Sequence, residues 1–157
     1  MILLLRMEPL PFKDLKYLDS VGGIARLGDK GTYIELAETF DKDSLQPAMT
    51  EIMKAFPKND FVTVRAQSHA LKGICSYLGA ERAVLVCERM HKLIDEKKIA
   101  EIGQLYAVMI YELTLLKKEL RRYLCKEKGK AFAESEPSDK KIPEDPKYAY
   151  ALNGLKK

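Results

Sequence analysis

Tryptophan is absent from this 157-residue chain, histidine occurs twice and cysteine three times. Cys75, Cys87 and Cys125 are odd in number and form no C-x-x-C pair. A disulfide framework is therefore not expected, and a reducing compartment with free, buried thiols is. With two histidines and scattered cysteines, a metal site is not expected either. Blocks of one charge sign are also missing. The 27 Lys and Arg and 23 Asp and Glu residues are interspersed and leave a net charge of +4. No basic stripe with interleaved aromatics and no strongly basic amphipathic helix results, so neither a nucleic acid nor a membrane is an expected partner. The apolar run at residues 2–5 is too short to span a bilayer and lacks the basic start and length of a signal peptide. A cytosolic or nuclear protein is expected. There is no glycine-rich phosphate loop of the P-loop or kinase kind and no evident acidic cluster for Mg²⁺. The chain is not expected to turn over ATP by itself.

What is present is helical periodicity. A hydrophobic share of 46% is enough for one core, and the length suits one domain. We divide the chain into an N-terminal extension (1–14), a helical body (15–126) and a polar tail rich in Pro and Lys (127–157). The tail reads as disordered or loosely draped, with Tyr148, Tyr150, Leu152 and Leu155 able to dock. Within the body a short helix is expected near 15–27. Tyr33, Leu36, Ala37 and Phe40 mark the next, started by a Thr32/Glu35 capping box or by Asp29. The DKDS stretch at 41–44 reads as an interruption. A further helix carries Leu45, Met49, Ile52, Met53 and Phe56, capped by Asp43 or Gln46 and ended by Pro57. Three more follow at about 60–78, 80–97 and 99–124, with Gly79 as the first stop. Short connections make neighbours antiparallel. The expected fold is all-α: an antiparallel up-and-down four-helix bundle with a short additional N-terminal helix. A monomer is expected.

On the helix at 60–78, Val64, Leu71, Ile74, Cys75 and Leu78 share one side at about 100° per residue, and Gln67 falls there as a misfit. His69 lies opposite, among Val62, Arg65, Ala66, Lys72, Gly73 and Ser76. A glycine inside a helix costs about 1 kcal/mol relative to alanine. Here it leaves a bare spot one turn from an exposed imidazole, with two cations on the same face. A neutral imidazole is a good nucleophile. The bare spot would admit a reacting group from another protein, and the cations would offset phosphoryl charge. The combination suits a histidine that receives and passes on phosphate.

The stretch HALKGICSYLGAERAVLVCERMHKL, residues 69–93, resembles the core motif of histidine-containing phosphotransfer (HPt) domains, nearest in flavour to fungal phosphorelay intermediates. The features that carry the likeness are His69, Lys72 and Gly73 as H-x-x-K-G, then Leu78-Gly79, then a helix with Cys87, Glu88 and Arg89. The resemblance implies that His69 is the phospho-acceptor, relaying phosphate between receiver-domain aspartates of a hybrid histidine kinase and a response regulator. It implies that Lys72 balances phosphate charge, that Gly73 gives access, and that Mg²⁺ comes from the receiver partner with no cofactor bound by this chain. A polar residue, often Gln, occupies the family position that falls here on His91, a candidate partner of the active ring. Charged, it would stabilise phosphate; neutral, it could hydrogen-bond the phosphoryl oxygens or orient His69. The expected docking surface combines Val62, Ala66, Gly73, Ser76 and Tyr77 with a rim of Arg65 and Lys72. The alternative function is a helical adaptor that binds a partner without chemistry.

Overall fold

The computed structural model describes residues 10, 12 and 14–129. The tail from residue 130 and the apolar run at 2–5 lie outside the described residues. Among the described residues six α-helices follow in order: α1 (Ser20–Leu27), α2 (Lys30–Thr39), α3 (Gln46–Ala55), α4 (Phe61–Leu78), α5 (Glu81–Asp95) and α6 (Ile99–Glu127). Among the described residues there is no strand.

Side-chain caps set three of the helix starts, the first being Asp19, which accepts from Gly22 N at 3.1 Å to open α1. Asp29 accepts from Thr32 N at 2.8 Å and from its hydroxyl at 2.9 Å, so Asp29, not a Thr32/Glu35 box, opens α2. Asp60 does the same for α4 through Thr63. The expected interruption at 41–44 does not occur. A π-helical segment, Phe40–Leu45, joins α2 to α3 with αR backbone on both sides, so the two form one continuous rod. Neither Asp43 nor Gln46 acts as a cap, because a continuing helix has no bare N–H groups to satisfy. Asp41 is buried in the π segment and meets Arg121 of α6 at 3.5 Å.

Five rods result: α1, the α2–α3 rod, α4, α5 and α6. The last four make the bundle, in which α4 packs on α5, α5 on α6, and α3 on α4. Its core includes Ile52, Val64, Leu71, Leu105, Met109 and Leu113. On α4 the buried polar residue is Ser68, which donates to Val64 O at 2.7 Å; Gln67 is half-buried. The core also reaches back beyond the expected start at residue 15, because Leu10 and Phe12 are buried in it. The Arg82 guanidinium lies 4.2 Å from the Phe12 ring centre and 4.3 Å from that of Tyr17, and pairs with the fully buried Glu112 carboxylate. By length and composition α6 could cross a membrane, but half of that apolar stretch is buried inside the bundle.

The α4–α5 turn positions the site. Gly79 closes α4 in the left-handed region at φ 79°, and its N–H caps Cys75 O. A side chain there would also strike Asp19 O at 2.2 Å, since Asp19 N donates to Gly79 O. The Tyr33 hydroxyl donates to Leu78 O at 2.7 Å, satisfying a carbonyl at the end of α4. The next helix begins after Ala80, so α4 and α5 run antiparallel and side by side.

Candidate phosphotransfer site

His69 is exposed near the middle of α4, on the side away from Val64, Leu71, Cys75 and Leu78, all of which are buried. One turn on, Gly73 faces open space: a Cβ built there meets no atom within 4 Å. Among the described residues, packing against another helix therefore does not explain the glycine. Ala66 and Ser76 on the same strip are exposed, and the Ser76 hydroxyl turns back onto Lys72 O at 2.8 Å. Two exposed apolar side chains flank the strip, Val62 at 80% and Tyr77 at 57% exposure.

The antiparallel hairpin brings α5 alongside. The His69 and His91 rings stand 5.5 Å apart, centre to centre, tilted by 35°. His91 is half-buried on the flank of α5, and its Nδ1 lies 3.6 Å from Asp95 Oδ2. Arg65 grips the same Asp95 with two bonds, Nε to Oδ1 at 2.7 Å and Nη2 to Oδ2 at 3.3 Å. That pairing holds the Asp95 carboxyl below the usual carboxylate range. The Lys72 ammonium sits 4.0 Å from Glu88.

All the expected site residues thus share one face of the α4–α5 hairpin. The two cations differ from expectation in their environment. Arg65 stands at the rim, but its charge is engaged by Asp95, and Lys72 is near a carboxylate of its own. Asp95 and Glu88 were not anticipated as parts of the site. A signal for them exists in the sequence: the pairs 65/95, 69/91 and 72/88 are each symmetric about residue 80, in the turn between the helices. Folding the sequence back at Gly79-Ala80 would have placed both. Among the described residues no group of three or more His, Cys, Asp or Glu side chains could hold a metal ion.

The three cysteines are free, with Cys75 and Cys87 fully buried. Burial pushes the Cys87 thiol up to about 12, against a smaller opposing pull from Lys72, and raises Cys75 too. These thiols are protonated packing groups and no part of the site's chemistry.

A family model for the Hpt domain matches residues 35–123, more than half of the chain. The chain belongs to the Hpt-domain family. No curated protein and no solved structure matches it. The matched span runs from α2 into α6 and contains the whole α4–α5 hairpin. An Hpt domain is a phosphocarrier and not a kinase; it performs histidine phosphotransfer in a phosphorelay and interacts with receiver domains. Hpt phosphorelay proteins are generally soluble and intracellular.

Proposed function

We propose that His69 is the residue of this Hpt domain that carries the phosphoryl group, accepting it from a phospho-aspartate on one receiver domain and passing it to another. The observation that carries this is the exposed imidazole beside the open space at Gly73. A nucleophile must come within about 3.5 Å of phosphorus, in line with the leaving oxygen. A rigid helix with a missing side chain one turn away permits that approach.

Lys72 is the phosphate-balancing group. It is tethered only loosely, at 4.0 Å from Glu88, and its ammonium can swing to a phosphoryl oxygen. Gly73 provides access. Val62, Ala66, Ser76 and Tyr77 form the floor against which a receiver seats, with Arg65 at its edge. The donor and acceptor are the receiver domains of a hybrid histidine kinase and of a response regulator. Mg²⁺ and most of the charge stabilisation in the transition state belong to the receiver, since phosphoryl transfer is chiefly positioning and electrostatics. The protein acts as a monomer in the cytoplasm or nucleus, binding no cofactor, nucleic acid or membrane.

The test is transfer of label from a phosphorylated receiver domain in the presence of Mg²⁺. Wild type should gain acid-labile, base-stable phosphate and His69→Gln should gain none. Lys72→Ala should slow transfer without abolishing it. Uptake of acid-labile phosphate by His69→Gln would overturn the assignment. Receiver binding without any transfer to wild type would favour the adaptor reading instead.

A further inference from the structure

Beside the proposed acceptor stands a second imidazole with a carboxylate behind it. His91 is 5.5 Å from His69, ring to ring, and Asp95 lies 3.6 Å from His91 Nδ1. Asp95 is itself fixed by the two-bond grip of Arg65. The charged groups that face this spot are Asp95 on α5 and, on α4, Arg65 and Lys72, paired with Asp95 and Glu88 respectively. The ion pair and ring contact that His91 makes are with Asp95 and His69. The fixed charges around the rings are therefore matched.

Resting on His69 as the acceptor, we propose that His91 takes the ring proton of His69 when the phosphoryl group arrives, with Asp95 as its positioning residue and Arg65 holding Asp95 in place. Neutral His69 attacks phosphorus through one ring nitrogen. The N–P bond forms, the P–O bond to the receiver aspartate breaks, and the aspartate leaves as a carboxylate. The phosphorylated ring is at that moment a cation with a proton on its other nitrogen. That proton passes to a ring nitrogen of neutral His91, which becomes an imidazolium facing Asp95. The phosphorylated ring is left neutral, and the new cation stands beside the phosphoryl charge. Transfer onward returns the proton along the same route.

A nucleophile, a base beside it and a third group that orients the base are the parts general-base chemistry requires. The rings are adjacent without a hydrogen bond in the unphosphorylated chain, and contacts of this kind tighten in the reacting complex.

The experiment measures the rate of transfer from one phosphorylated receiver to the full-length chain, between about pH 5.5 and 8, for wild type, His91→Gln and Asp95→Asn. The receiver's own pH dependence is common to all three, so ratios isolate the Hpt side. Near neutral pH, His91→Gln should be slower by about a hundredfold, the lower end of what a positioned acid–base group contributes. The wild type to His91→Gln ratio should shrink toward one as the pH falls, because a protonated His91 cannot accept. Asp95→Asn should show a smaller loss with the same trend. Its side chain is on the surface, so this second variant keeps the test alive if His91→Gln melts early. A ratio that does not change with pH would mean a merely structural role, and a ratio of one throughout would mean none; either overturns the proposal. Both outcomes leave the acceptor assignment standing as long as His69→Gln takes up no label. Label on His69→Gln would instead refute the acceptor assignment itself.

Discussion

At the scale of single residues, the proposed role of Gly73 sets stability against function. Its Cβ position is open solvent, so alanine fits without strain. Gly73→Ala should raise stability by about 1 kcal/mol, the usual gain for a helix interior, seen as a higher midpoint in urea melts. Gly73→Leu should keep the helix content, yet slow transfer by at least about tenfold by occupying the space a receiver needs. A bulky variant with full transfer rate would show that the glycine is not an access device. Asp95 permits a second check. Its carboxyl is held low first by the hydrogen bond from Arg65 and further by the charges of Arg65 and His91. In a ¹³C titration its midpoint should lie below that of an ordinary aspartate and move up in Arg65→Ala. Folded pKa below unfolded means that this contact adds stability above the ordinary aspartate range and loses it as acid protonates the Asp95 carboxylate. That His69, Lys72 and Gly73 share one face was legible from the sequence because they sit on one helix, where spacing fixes the face. Asp95 and Glu88 meet that face from another helix, so spacing along α4 alone does not reach them; placing them takes the further step of folding the sequence back at Gly79-Ala80.

At the scale of elements, the misread feature is the charged stretch at 41–44. Locally it has every mark of a helix break, with three polar side chains able to cap. Partners from α6 meet the polar side chains along the continuing helix: Arg121 reaches Asp41 Oδ2, leaving Oδ1 without a hydrogen-bond partner among the described residues, and Lys117 donates to the Gln46 side-chain oxygen. Local competition between backbone and side chain was visible in the sequence; the tertiary partners that meet these side chains lie some seventy to eighty residues away. The N-terminal segment was missed for a related reason. Leu10 and Phe12 stand among prolines and charges with no periodicity, yet they cover the bundle, and Phe12 and Tyr17 both lie against Arg82. That arginine is half of the α5–α6 ion pair, whose Glu112 side chain is fully buried. Removing one partner of such a pair strands the other in low dielectric. Glu112→Ala should cost about 3–5 kcal/mol, a large part of what holds a domain of this size together. Denaturant melts would show it, and a loss under about 1 kcal/mol would mean that water reaches Arg82 freely.

At the scale of the whole molecule, the bundle's response to alkali follows from groups that it keeps neutral. Cys87 sits on α5 and Tyr17 in the N-terminal segment, and burial pushes both up to about 12, from ordinary values of 9.0 and 10.0. Tyr17 is raised further by the Glu112 charge beside it. A group whose folded pKa exceeds its unfolded one binds its proton more tightly in the native state. Its contribution is fully present below the unfolded value and disappears as pH rises toward the folded one. Stability should therefore hold steady through neutral pH and fall between about pH 9 and 12 as unfolded thiols and phenols ionise while their buried counterparts resist. Following the urea midpoint against pH checks this. Cys87→Ala should lower stability at neutral pH by the loss of buried volume, and should flatten the first part of the alkaline decline, which begins near the ordinary thiol range. A decline of unchanged slope in that variant would show that the thiol is reached by solvent in the native bundle, and would place the opening of the α4–α5 contact, on which the histidine pair is mounted, at much lower free energy than its packing implies.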